Sequence, residues 1–180
     1  MDKVKGIALI DVVKTLRVNR SAASKLLPPR LHPYLSSRIQ VSDWYPEEDF
    51  FELLEALTRV VPDPGMDVWE WVGRMGAKSD FSDIYSLVIR QRDPLGTLQD
   101  YRRVWNLYHD SGEVEVFLDG PGRARVDIRH FLTSKPEFCR LQTGHIAEVV
   151  QLAGASRVDV LNTRISAGDR AARWQVRWTD

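Results

Sequence analysis

Apolar and polar positions along this chain change period once, near residue 112, and that change sets the expected fold. Before it, the spacing is helical. Ile7, Leu9, Ile10, Val12, Val13 and Leu16 predict a first helix from Gly6 to Leu16. Ser21 can cap a second, short helix from Ala22 to Leu27, which Pro28 and Pro29 stop. Pro28 to Ser42 reads as irregular. A third helix should open near Pro46, with Asp43 as an upstream cap and Glu47, Glu48 and Asp49 at its positive end. Its apolar face is Phe50, Leu53, Leu54, Leu57, Val60 and Val61. Met66 to Ala77 carries Val68, Trp71, Val72 and Met75 on one stripe, thinned by Gly73 and Gly76. Asp83 to Arg90 and Thr97 to His109 complete the helical run, the first through Ile84, Tyr85, Val88 and Ile89. The second presents Leu98, Tyr101, Val104, Trp105 and Tyr108.

After Gly112 the period becomes two. Val114, Val116 and Leu118 alternate with polar residues, as do Ala124, Val126 and Ile128, around a turn at Asp119-Gly120-Pro121-Gly122. Pro136 to Leu152 returns to helical spacing and stops at Gly154. Strands from Val158 to Ile165 and from Arg173 to Trp178 follow. The order predicts an α+β fold: a helical N-terminal half, then an antiparallel four-stranded sheet built as hairpin, helix, hairpin. No repeat or low-complexity linker divides it, so one domain is expected over 1–180, helical over 1–110 and sheet-bearing over 111–180.

Charge changes this picture little. Twenty-five basic residues balance twenty-five acidic ones, so no overall field points to nucleic acid or membrane. A dipole lies within the balance, because residues 1–40 are basic and the run from Glu47 to Glu55 is acidic. These blocks are expected to meet within the fold or to be solvated. The basic stretch from Val12 to Leu27 has the outline of a helix-turn-helix, but its second helix is too short to lie along a major groove. The lone Cys139 excludes an internal disulfide, no apolar run is long enough to span a membrane, and Asp11 and Lys14 interrupt the only N-terminal apolar stretch. A cytoplasmic location is expected.

No catalytic constellation occurs at useful spacing: no phosphate loop, HExxH, GxSxG or CxxC. His32, His109, His130 and His145 are dispersed, so no metal site is expected. His145 is either a ligand contact or haem axial ligand, or more simply a half-buried histidine with a hydrogen-bond partner. His109 reads as a favourable charge at a helix C-terminus. Cys139 lacks a neighbouring base and reads as a small buried hydrophobe.

The landmarks Ser42-Asp43-Trp44-Tyr45-Pro46, Tyr108-His109-Asp110-Ser111-Gly112, Cys139 with Gly144 and Leu152-Ala153-Gly154, Gly168-Asp169 and Val176-Arg177-Trp178 span nearly the whole chain. In that order they resemble an uncharacterised myxobacterial family related to 4-vinyl reductase (V4R) domains, and more remotely to haem-NO-binding (H-NOX) domains and TRAPP trafficking subunits. The resemblance implies a shared α+β ligand-binding fold of sensory proteins. Members related to V4R often carry paired cysteines at the Gly-Asp turn; Arg164 and Ala172 stand there instead, so a thiolate metal site is not implied. The haem-binding branch uses a proximal histidine and a Tyr-x-Ser-x-Arg motif. No such motif occurs here, and no cofactor is expected.

The expected function is therefore a non-enzymatic sensory or adaptor domain holding a small apolar ligand between helices and sheet. Trp71, Met75, Tyr85, Trp105, Tyr108 and His145 are its candidate walls, although the same spacing suits plain core residues. The alternative is a protein-interaction module without a small-molecule ligand, either a homodimeric TRAPP-like scaffold or one docked to a regulatory partner.

Overall fold

A computed structural model describes residues 2–82, 86–132, 135–164 and 170–179. Its contacts divide the chain into two compact units, Met1–Asp63 with Asn106–Ser111, and Pro64–Trp105 with Gly112–Asp180. The class is α+β, as the change of period predicts.

In the first unit, β1 (Lys3–Lys5) leads into α1 (Gly6–Val18) and α2 (Arg20–Leu26), and a 3-10 segment follows at Pro29–Leu35. Strand β2 (Trp44–Pro46) pairs antiparallel with β1, and α3 (Glu47–Val60) starts directly after it. The core is the apolar stripe of α1 (Leu9, Val12, Val13, Leu16) against that of α3 (Phe51, Leu53, Leu54, Ala56, Leu57), with Leu31 and Leu35. Each such aliphatic side chain contributes roughly 1.5–3 kcal/mol on full burial. The expected meeting of basic and acidic blocks occurs here: Arg30 pairs with both Asp49 and Glu52. Asp43 does not cap α3, whose N-cap is Pro46 without a side-chain cap. Its neighbours have already become β2, which holds the backbone extended up to the helix. Two strands of three residues each are too short to give a period, so the sequence offers no signal for β1 and β2.

In the second unit, α4 (Val68–Ser82) is followed by a 3-10 turn at Ser86–Val88, where the spacing predicts a helix. The expected helix lies partly outside the described residues, at Asp83–Tyr85. Beyond the turn the backbone N–H of Arg90 donates to Thr97 Oγ1 (2.9 Å) and that of Arg92 to the Ala153 carbonyl (2.8 Å), so neither continues a helical ladder. Helix α5 (Pro94–Tyr108) comes next, its final residues belonging to the first unit. Strands β3 (Glu113–Leu118) and β4 (Arg123–Arg129), helix α6 (Pro136–Leu152), and strands β5 (Arg157–Arg164) and β6 (Ala171–Thr179) complete the chain. The sheet is antiparallel throughout, in the order β3-β4-β6-β5. Ala124, Val126 and Ile128 of β4 and Ala172, Trp174 and Val176 of β6 are its buried face. The indole N–H of Trp174 donates to Thr143 Oγ1 of α6 at 3.1 Å.

Helices α4 and α6 touch backbone to backbone. A Cβ added at Gly73 would fall inside 3 Å of the Leu141 carbonyl oxygen, and one at Gly144 inside 3 Å of the Glu70 carbonyl. The contact is reciprocal: each helix offers a glycine to a carbonyl of the other. Salt links from Arg74 (3.1 Å) and Lys78 (3.5 Å) to Glu148 and from Arg140 to Asp67 (3.3 Å) lie along the same pair. Because the intruding atoms are backbone, side-chain rotation cannot relieve a larger residue. Gly73→Ala and Gly144→Ala should each destabilise the protein by about 1–3 kcal/mol, the scale of overpacking in a dense core. Urea unfolding monitored by tryptophan fluorescence measures this, with Gly76→Ala, an open position on α4, as comparison.

Candidate functional site

Helical periodicity builds the site. On α6, Phe138, Gln142 and His145 stand at i, i+4 and i+7; on α5, Tyr101 and Trp105 stand at i and i+4. Asp80 and Phe81 come from the last turn of α4, where the helix dipole disfavours an anion. These residues form two adjoining groups within the second unit.

The first group is aromatic. Trp105 meets Phe131 edge to face (4.8 Å between ring centroids, 79°) and Phe138 similarly at 6.4 Å, and Phe131 and Phe138 lie 5.1 Å apart. All three are buried. The second group is polar at its centre. The His145 ring lies 5.4 Å from that of Tyr101 and 6.1 Å from that of Phe81. Its Nε2 faces Asp80 Oδ2 at 3.6 Å, an ion-pair contact rather than a hydrogen bond. Its Nδ1 is buried and has no hydrogen-bond partner. Nδ1 therefore sits among aromatic rings without a polar contact. Beside it the Tyr101 hydroxyl donates to Gln142 Oε1 at 2.9 Å, both groups buried. Burial, and then the charge of Asp80, push the Tyr101 hydroxyl above its ordinary range, so it stays a neutral donor.

The expected wall residues are distributed as follows. Trp105 is 2% exposed in the first group and His145 is at the centre of the second, whereas Trp71 is half-buried and Met75 is 45% exposed on α4. Tyr108 is buried in the first unit, and Tyr85 lies outside the described residues. The reading of His145 as hydrogen-bonded does not hold, because the one nearby acceptor stays at 3.6 Å. His109 is more than a dipole partner: its Nδ1 is 3.0 Å from Glu47 Oε2, in a pair that is largely buried within the first unit. Asp80, Phe81 and Gln142 were not legible as site residues. The i+4 step from Phe138 is the one signal that places Gln142 beside them.

No family model matches the chain, and no curated protein matches it. Solved structures do match. A mutant H-NOX from T. Tengcongensis aligns with a TM-score of 0.71 at 12% identity, over 98% of both chains. An unliganded Fe(II) H-NOX mutant from K. algicida aligns at 0.68 and 12% identity, over 98% of this chain and 97% of its own. An oxygen-binding H-NOX domain related to soluble guanylate cyclases aligns at 0.68 and 14% identity, over 98% and 95%. The chain has an H-NOX-like fold.

An H-NOX-like fold raises the question of haem. The residues present do not supply the donor set. His32 Nε2 is shared between the Ser24 and Leu27 carbonyls (3.2 and 3.1 Å), His109 is held by Glu47, and His130 is exposed at the end of β4. The unpartnered nitrogen of His145 is Nδ1, next to its own Cβ, where a macrocycle would press on α6. No Tyr-x-Ser-x-Arg stretch occurs in the sequence. Among the described residues no group of three or more His, Cys, Asp or Glu could hold a metal ion.

Two outcomes follow. Protein produced with haem in excess should be isolated without a Soret band in its absorption spectrum. Tyr101→Phe should lower stability by about 1–2 kcal/mol at neutral pH, because Gln142 loses its donor while buried. The tyrosine also sets an alkaline limit. Its folded pKa is raised from 10.0, so the stability it confers is complete below pH about 10 and is lost as pH rises toward the folded value. Denaturant melts from pH 8 to pH 11 should therefore show a shallower alkaline loss for Tyr101→Phe than for the wild type.

Proposed function

We propose that this chain is a non-enzymatic sensory domain of signalling type, which takes a small, mostly apolar ligand bearing one hydrogen-bonding group. The observation that carries this reading is the buried, unpartnered Nδ1 of His145 beside the rings of Phe81 and Tyr101. A buried ring nitrogen without a partner costs free energy, and a bound hydrogen-bonding group would remove that cost. Aromatic surroundings with one convergent polar group are the usual lining of a small-molecule site. Trp105 would extend this wall, and Trp71, Met75, Tyr85 and Tyr108 remain proposed contacts.

The wider assignment belongs to the same proposal. We regard 1–180 as one ligand-binding domain, related to the V4R-like myxobacterial family and remotely to TRAPP subunits, and working in the cytoplasm. Alignment of solved H-NOX chains over 98% of this chain supports a single domain of that kind. No helix among the described residues is long and apolar enough to cross a membrane. The alternative reading, an interaction module without a ligand, is favoured by the exposed Phe117 and Leu161 among arginines on the outer face of the sheet.

Native mass spectrometry of the chain purified from its own host, before and after denaturation, tests the ligand reading. A small molecule should leave on denaturation and should be missing from His145→Leu that retains the wild-type circular dichroism spectrum. A ligand-free mass for the wild type overturns the reading.

A further inference from the structure

Alternation along the strands gives the sheet two faces, and the one turned away from α6 is unlike the rest of this neutral chain. Strands β4 and β6 present Arg123, Arg125, Arg129, Arg173 and Arg177 on it, with Asp127 as their only carboxylate. Asp127 is completely buried beneath them. Arg173 grips it with Nε and Nη2, both at 2.8 Å, while Arg125 Nε and Arg129 Nη2 stay at 3.5 and 3.9 Å. One carboxylate cannot satisfy three guanidinium groups. Arg125 shows the shortfall, since its Nε is buried without a hydrogen-bond partner. The neighbouring strands return part of the charge: Glu115 pairs with Arg129 at 3.3 Å, and Asp159 stands opposite Arg177 in the ladder. Arg123 also stands opposite Arg177, and among the described residues no carboxylate pairs with Arg123. Like charges directly opposite across a ladder destabilise it, so the fold carries this pair at a cost to itself.

The same face carries apolar groups. One row across the sheet runs Phe117, Arg125, Gln175, Leu161, with Phe117 37% and Leu161 56% exposed. The Arg125 guanidinium lies over the Phe117 ring at 4.1 Å. At the Phe117 end a cleft of about 280 Å³ opens between β3 and α5. Arg102 of α5 lines it and is exposed, with no ion-pair partner among the described residues. Arginine planes, an aromatic ring and a small cleft are the makings of a protein-binding patch.

We infer that this outer sheet face, from the Arg102–Phe117 cleft to Arg177, docks an acidic surface of a partner protein. Excess guanidinium charge selects carboxylates, and the cleft, lined by Gln99, Arg102, Glu115, Val116 and Phe117, would take a side chain with both polar and apolar surface. Glu113, Glu115 and Asp159, interspersed on the face, suit a mixed-charge protein surface and would repel a continuous phosphate backbone. The inference stands apart from the ligand reading, because it uses none of the residues around His145.

The test titrates the full chain into a fluorescein-labelled peptide of Glu and Leu residues, followed by anisotropy. A Lys and Leu peptide and a single-stranded oligonucleotide of equal length are run beside it. The acidic peptide should bind, more weakly as salt rises, and should shift the backbone amide signals of Arg123, Arg125 and Gln175 in NMR spectra. Arg123→Glu should weaken binding about tenfold, the scale of a lost interface charge contact. Folding is safeguarded in that variant, because it turns the Arg123–Arg177 repulsion into an attraction and should leave the Tm at or above the wild-type value. Arg59→Glu, an exposed change in the first unit, should leave binding unchanged. Failure of the acidic peptide to bind, equal binding by Arg123→Glu, or tighter binding of the oligonucleotide would each overturn the inference.

Discussion

The close approach of α4 and α6 is the constraint on which the second unit depends. With a glycine of each helix against a carbonyl of the other, the axes come nearer than any pair of side chains would allow. That depth fixes where the rest of α6 lies. One face carries Gly144 toward α4, the Phe138–Gln142–His145 face meets Tyr101 and Trp105 of α5, and Thr143 reaches Trp174 of β6. Moving α6 outward by the thickness of one methyl group would disturb all three contacts together. The unpartnered Nδ1 of His145 on this helix is therefore held in place by packing elsewhere along α6.

Buried charge is met in two ways. In the first unit, Glu47 and His109 are largely buried and satisfy each other at 3.0 Å, while the residues just after α5 are fastened by bonds between Lys3 and Asp110 in both directions (2.6 and 3.0 Å). In the second, Arg74 and Lys78 satisfy Glu148 likewise, whereas the Asp127 cluster has more cations than one anion can meet. A satisfied pair confers order on its own unit. An unsatisfied one is a standing cost that the sequence keeps, and such costs concentrate where a protein meets something else.

What was legible followed from length and period. Helix α6 matches its expected limits, Pro136 and Leu152, because a proline opens it and seventeen residues give the period room to show. The two hairpins were legible from alternation and the glycine turn. Strands β1 and β2 were not, at three residues each, and the helix expected after α4 lost its N–H groups to Thr97 and Ala153. The site was legible only in half. Apolar spacing marked Trp105 as interior, but it could not separate Met75, which is exposed, from residues that are not. Partners distant in sequence gave no local signal: Glu47 and His109 are 62 positions apart, and Asp127 and Arg173 are 46 apart.

Fold likeness and site chemistry give different answers in this chain, and the residues decide between them. A fold can host unrelated functions, so an H-NOX-like backbone does not by itself bring haem. Phe131 completes an interlocked ring cluster with Trp105 and Phe138, which stabilises the interior through apolar contact. Beside it, His145 keeps a carboxylate on one side and aromatic rings around it. On the other side of the sheet the arginines around Asp127 present a chemistry unlike that aromatic interior, so one backbone carries two separate kinds of surface.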